Sequence, residues 1–317
     1  MKRARLATWD EKTMTIDLVS LVLTLRAMPS PGRTHHDGQR WWGRAAQALL
    51  LGVVGAYDPS LAVELHEGDT SVEPEAVRAV RPYTVSSLMG HFSHGQILPG
   101  SAYYLRLTAF RADVAGLLLK AFQPGGPLCP GTLLDLDYLP FMVESVSAGD
   151  SFAPFGRTPA PWASQTTYQQ LSAPFLLAQQ PAPRRISLQL NSPTTFKSNG
   201  RHVPFPEASL VFGSLIVRWN AHAPIAFPAE VKRYADECLA ISRYDLKTIP
   251  VPQKSGGMKV GAVGSVTFAT LSYDRYWMSV LAVLAGFSLF CGLGAGTAQG
   301  LGQCCQIPET SFRQMEE

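Results

Sequence analysis

Apolar and polar residues fall into blocks along this chain, and the spacing of the apolar positions changes from block to block. Ile16-Asp-Leu-Val-Ser-Leu-Val-Leu-Thr-Leu25 is rich in leucine and β-branched residues and reads as a strand. After a loop from Pro29 to Gly38, Gln39 to Val54 has the length and residue types of a helix. Pro59 to Glu67 is read as a second, short helix, with Asp58 as N-cap and Pro59 at the first helical position. An acidic loop from Gly68 to Glu75 leads to strands at Arg81 to Leu88 and Ala102 to Phe110. Ala112 to Phe122 is expected as a helix, and Leu133 to Val146 as a strand pair. The order β, α, β, β, α, β is that of a ferredoxin-like unit, which RNA-recognition sheets also use.

From Ser151 to Arg184 proline, alanine, serine and glutamine accumulate, as in a linker lying on the surface. The pattern then recurs. Strands are expected at Ile186 to Leu190, Cys238 to Val251, Met258 to Tyr273 and Leu301 to Ile307, with helices at Ala208 to Ala221 and Asp274 to Phe290. The predicted architecture is α+β, with two tandem ferredoxin-like domains at residues 1–150 and 184–307, a linker at 151–183 and a polar tail at 308–317.

Composition narrows the classes. The chain has 317 residues, enough for two domains, and its 46% apolar and 16% charged content is that of a folded protein. A net charge of +3 means that any nucleic-acid surface must come from local clustering. The five cysteines form no CxxC pair and no zinc spacing, and with no apolar leader behind the N-terminal charges they point to a reducing cytoplasm. Trp277 to Gly296 is uncharged over the length of a membrane span, but its glycines and serines suit a helix buried against a sheet.

That helix runs into glycines at 292, 294, 296, 300 and 302. Glycine at this density permits tight turns and leaves backbone amides open to an anion such as a phosphodiester. The spacing is not Gly-x-Gly-x-x-Gly after a strand and no Lys-Ser/Thr follows, so nucleotide-cofactor loops fit poorly.

Taken with Ser192-Pro-Thr-Thr-Phe196, Leu61-Ala-Val-Glu-Leu-His66 and Arg81-Pro-Tyr-Thr-Val-Ser86, the glycine-rich segment makes the chain resemble a known family. It is similar, over about Ile16 to Gln306, to the RAMP-type endoribonucleases that cut CRISPR precursor RNA within its repeats. The resemblance implies two ferredoxin-like domains, a glycine-rich loop before the last strand, and metal-independent cleavage. In that reaction a ribose 2′-OH attacks the adjacent phosphate, giving a 2′,3′-cyclic phosphate and a 5′-OH. It implies no cofactor and no metal, repeat RNA as partner, further proteins of a CRISPR effector or adaptation complex beside it, and no membrane. A non-catalytic RNA-holding subunit of the same superfamily is the alternative.

His66 occupies the position at which the family has a catalytic histidine, and an imidazole, with a reference pKa of ~6.5, can give or take a proton near neutrality. Arg81 stands where a family lysine is frequent, and its guanidinium suits a charged phosphorane. His35 and His36 form a rival on the first loop, with His36 retained as a candidate; His91 and His94 flank a Gly-bounded turn, and His202 and His222 read as surface residues. Leu49, Leu50 and Leu51 fill the region where many relatives carry a tyrosine, which leaves Tyr57 and Tyr83 as substitutes. RNA binding is expected from Arg40, Arg44, Arg184, Lys197, Arg201, Lys254 and Lys259, together with Gly292, Gly294, Gly296, Thr297, Gln299 and Gly300. The aromatics Phe212, Trp219, Phe287 and Phe290 read as core.

Overall fold

The computed structural model describes residues 15–30, 41–67, 80–149, 162–177, 181–253 and 257–307. The first domain contains β1 (Leu18–Ala27), α1 (Gly43–Gly55), α2 (Pro59–Glu67), β2 (Tyr83–Val85), β3 (Met89–Gly90), β4 (Ala102–Ala109), α3 (Ala112–Ala121), β5 (Leu133–Leu136) and β6 (Leu139–Ser147). Its antiparallel sheet has the order β2-β4-β1-β6-β5, so the fourth ferredoxin strand lies beside the first, as the sequence pattern predicts. Asp58 caps α2 by accepting from the Leu61 amide at 2.9 Å.

The stretch expected to be a surface linker is structured in part. Ser164–Thr166 forms β7 on the edge of β1, and Tyr168–Leu176 forms α4. Thr167 and Gln170 close a reciprocal capping box at the start of that helix, and Tyr168 is buried among Phe287 and Trp219. Ala163, Tyr168 and Leu171 of this proline-rich segment are buried against the core, while Leu176 and Leu177 at its end lie on solvent.

The second domain contains β8 (Arg185–Thr194), β9 (Phe196–Ser198), β10 (Arg201–Val203), α5 (Ala208–His222), α6 (Glu230–Cys238), β11 (Leu239–Pro252), β12 (Met258–Thr270), α7 (Arg275–Cys291) and β13 (Cys304–Ile307). Its sheet order, β11-β12-β8-β13, repeats the ferredoxin arrangement. Two elements go beyond the sequence reading. In α6 the buried residues Val231, Tyr234 and Ala235 follow helical spacing between charges. The β9–β10 hairpin closes through Asn199 and Gly200, both with positive φ (48° and 74°), the residues a two-residue hairpin turn prefers.

The uncharged stretch is α7, whose residues from Met278 to Cys291 are buried on every side. It lies between its own sheet and the first, which explains both its lack of charge and the near-continuous apolar run of β1. Among the described residues no helix is long and apolar enough to cross a membrane.

A buried arginine joins the two domains at the end of this helix. Arg106, on β4, donates from Nε to Ser20 Oγ (2.8 Å), from Nη1 to Gln303 Oε1 (2.6 Å) and from Nη2 to the Leu289 carbonyl. Its guanidinium also lies 5.0 Å from the Trp162 ring centroid. Thr108, two residues on, donates to the Phe290 carbonyl at 2.6 Å. The last carbonyls of a helix have no partner within it and carry its negative dipole end, so a cation and a hydroxyl from the neighbouring domain cap α7. No Asp or Glu among the described residues pairs with Arg106, and burial lowers its pKa to about 10. Replacing Arg106 with methionine leaves Gln303 Oε1 and the Leu289 carbonyl buried without a donor. It should lower unfolding free energy by about 2–4 kcal/mol, read by chemical denaturation; a loss below about 0.5 kcal/mol would contradict this role.

Candidate active site and nucleic-acid interface

The glycine-rich segment builds one side of the site. It leaves α7 at Gly292, forms a 3-10 turn at Thr297–Gln299 and enters β13. Gly294 and Gly302 have φ of 69° and 66°. A Cβ on Gly294 would stand 2.2 Å from the Thr195 carbonyl oxygen, and one on Gly302 1.9 Å from that of Leu293. Glycine is required there by conformation and by space together.

The amides are less open than the sequence suggests. Leu293, Ala295 and Gly302 donate to the carbonyls of Gly302, Thr195 and Pro193, at 2.8, 2.7 and 3.1 Å. Gly294 and Gln303 donate to the hydroxyls of Ser214 and Ser192, at 3.0 and 2.8 Å. The amides of Gly296, Thr297 and Ala298 have no protein acceptor among the described residues; Gly296 and Thr297 are half-buried and Ala298 is buried. Arg218 on α5 donates to the Gly294 carbonyl, and Gln303 Nε2 donates to the Val85 carbonyl of the first domain at 3.0 Å. Ala298 is buried in the first domain's core. The loop is therefore a joint between domains that offers a few amides at its tip.

The N-terminus of α1 meets this tip, where Trp41 Nε1 donates to the Gln299 carbonyl at 2.6 Å. A cationic cluster gathers around it. Lys197 and His202 face each other across the β9–β10 hairpin, with Lys259 on β12 and Arg44 in the first turn of α1; Arg201 adjoins His202 on β10, where strand alternation turns it to the hairpin's other face. Burial, then Lys259 and Lys197, lowers the pKa of His202; burial, then Lys197 and Arg44, lowers that of Lys259. None of these groups pairs with a carboxylate among the described residues. Like charges held together without an acid repel one another, and a bound polyanion relieves that repulsion.

His66 is reached from this cluster along α1. Gln47, one turn beyond Arg44 and on the same face, donates to Tyr83 Oη at 3.0 Å. Tyr83 Oη in turn contacts the Leu65 carbonyl at 3.5 Å. His66 follows, exposed in the last turn of α2. Arg81 donates from Nε to the Leu65 carbonyl (3.1 Å) and from Nη2 to that of His66 (2.7 Å). Two of its five N–H donors thus cap α2, holding the turn that carries His66.

Other candidates separate from this group. Arg184 lies ten residues before Thr194 on β8, roughly 30 Å away, and stacks on Tyr273 with its Cζ 4.5 Å from the ring centroid. Tyr57 lies at the far end of α1, under Lys120. Tyr83 is buried and its pKa is raised by that burial, so it holds a proton at neutral pH and supports α2. His222 is not a surface residue: its Nε2 is 2.8 Å from the Val80 carbonyl and its ring packs on Phe110, across the domain boundary. His36, Arg40 and Lys254 lie outside the described residues. Phe212, Trp219, Phe287 and Phe290 are in the core, as expected.

The chain is similar to known proteins in sequence and in fold. Residues 188–304 match the family model described as CRISPR-associated endoribonuclease Cas6. A Mycobacterium tuberculosis (strain CDC 1551 / Oshkosh) protein of that name is 28% identical over 124 residues, 39% of this chain and 39% of its own length. The match thus spans about two fifths of the length of that relative. A solved Cas6 product complex has a TM-score of 0.69 at 23% identity, covering 92% of this chain and 100% of the other. Thermus thermophilus Cas6 gives a TM-score of 0.63 at 22% identity, covering 92% and 99%. The chain thus has the fold of the solved Cas6 structures through both domains, and residues 188–304 resemble the CRISPR-associated endoribonuclease Cas6 family in sequence.

Gly302→Ala should lower the melting temperature by several degrees, since about 2 kcal/mol of strain and overlap must be relieved. Scanning calorimetry reads this, and an unchanged transition would show that the loop tolerates a side chain.

Proposed function

We propose that this chain is an endoribonuclease that cuts CRISPR precursor RNA within its repeats by attack of a ribose 2′-OH on the adjacent phosphate. The observation that supports this reading is an exposed imidazole, His66, linked through Leu65, Tyr83 and Gln47 to the helix whose first turn carries Arg44, part of a cationic cluster without a carboxylate partner among the described residues. Relatives named as Cas6 endoribonucleases support it, as does a product complex among the structures of the same fold. One of those structures is a Cas6 mutant in which a histidine is replaced by alanine.

In this mechanism Lys197, Arg201, Lys259 and Arg44 hold the phosphates by charge, and the half-buried amides of Gly296 and Thr297 add directed donors. His66 exchanges a proton with the reacting oxygens: the 2′-OH loses one as its oxygen bonds to phosphorus, and the departing 5′ oxygen gains one as its bond breaks. Arg81 is a positioning residue, holding the end of α2 through the Leu65 and His66 carbonyls.

His66→Ala should lower the single-turnover cleavage rate by roughly 10²–10⁴-fold while RNA affinity changes by less than a few fold. Arg81→Gln should lower the rate with Kd nearly unchanged, because the imidazole is no longer fixed. Equal loss of binding and cleavage would assign both residues to the RNA grip, and full activity of His66→Ala would remove the proposed catalyst.

The cluster makes a second set of expectations. Lys197→Gln or Lys259→Gln should each reduce the slope of log affinity against log salt by about 1. In the free protein the pKa of His202 is lowered, chiefly by burial and then by the two lysines; bound phosphate favours the charged ring. Binding then takes up a proton, so affinity should rise as pH falls from about 7.5 to about 5.5, and His202→Gln should remove that component. A filter-binding series checks both, and an affinity indifferent to salt would contradict the assignment.

A further inference from the structure

Phe205 and Tyr244 are exposed aromatics of the second domain, at 41% and 61%, in contrast to the buried rings around Trp219 and Phe287. Their rings meet edge to face, with centroids 5.9 Å apart and planes at 86°. Phe205 stands between Pro204 and Pro206, whose closed rings restrict the backbone on either side and hold the side chain in a preset place. Tyr244 lies opposite Val266, a core residue, so it projects from the helix-bearing side of the sheet, at its free edge. Phe205 follows His202 by three residues, which puts its backbone within about 10 Å of the cationic cluster.

We propose that Phe205 and Tyr244 form a stacking platform for an unpaired base of the RNA whose phosphates the Lys197, His202 and Lys259 cluster holds. This deepens the proposed function and rests on it. Cations that track a backbone beside exposed aromatic faces are the combination that retains single-stranded nucleic acid, and stacking tolerates any base because each has a π face. A rigid, solvent-open ring also loses little freedom when a base settles on it. The platform would take nucleotides outside a paired stem, since bases within a duplex are already stacked.

The test compares two RNAs on the full chain: a repeat hairpin with short single-stranded flanks, and the same hairpin with abasic flanks. Tyr244→Ala should weaken binding of the first roughly tenfold and leave the second unchanged, Phe205→Ala should act in the same direction, and Tyr244→Phe should behave as the wild type. Equal weakening for both RNAs would show that the pair merely supports the start of α5, and no weakening of either would also overturn the platform. If the wild type binds neither RNA, the functional reading and the platform fall together. If it binds both and the variants bind alike, the platform alone falls.

Discussion

A guanidinium buried with no acidic partner among the described residues is the constraint on which this molecule depends. Arg106 leaves water completely, and its charge is compensated by the carbonyl end of α7, the Gln303 side chain, the Ser20 hydroxyl and the face of Trp162. Desolvating such a group is costly unless every donor finds an acceptor, so these partners come as a set. They belong to β1, the segment before β7, α7 and the segment entering β13, so satisfying one side chain of β4 fixes the two domains against each other. The geometry of the glycine-rich turn follows from the same set. Gln303 is gripped by Arg106 on one side and donates to the Val85 carbonyl on the other, while Gly302 and Gly294 lie against backbone.

That joint decides what the site can do. α1 begins at the turn, runs past Gln47 and Tyr83, and so relates the cationic hairpin of the second domain to the end of α2 in the first. In the proposed mechanism most of the charge comes from the second domain and the imidazole from the first, with Arg44 of α1 adding charge from the first domain's side. The Asn199-Gly200 hairpin places Lys197 opposite His202 because its two positive-φ residues fix the register of so short a pair.

Much of the fold was legible because its periods are strong. Both ferredoxin patterns, the capped α2, and α7 as a buried helix instead of a membrane span follow from spacing and length. What was not legible depends on which face a second domain covers. In Tyr103-Tyr-Leu-Arg-Leu-Thr108, Arg106 reads as a solvent-facing strand residue, and only the packing of α7 on that sheet makes it the most buried charge in the network. Arg81 reads as a phosphate ligand, yet two of its donors serve the carbonyls of α2, a contact between residues 15 and 16 positions apart. Arg184 was grouped with the other basic residues by its place in the chain, but β8 carries it to the opposite end of the sheet. Two local signals were present to be used: Asn199-Gly200 for the hairpin, and the Val231, Tyr234, Ala235 spacing for α6. Gln47, Arg218 and Gln303 had none, since each acts on a residue distant in the sequence.

The chemistry assigned to the site makes the RNA supply its own nucleophile, and the ends of the cut strand record whether it did. Incubating the purified chain with repeat-containing RNA in EDTA, and analysing the products by mass spectrometry, tests this most directly. The account predicts cleavage at one phosphodiester with a 2′,3′-cyclic phosphate on one fragment and a 5′-OH on the other. Fragments bearing a 3′-OH and a 5′-phosphate, or cleavage that stops when divalent ions are chelated, would contradict it.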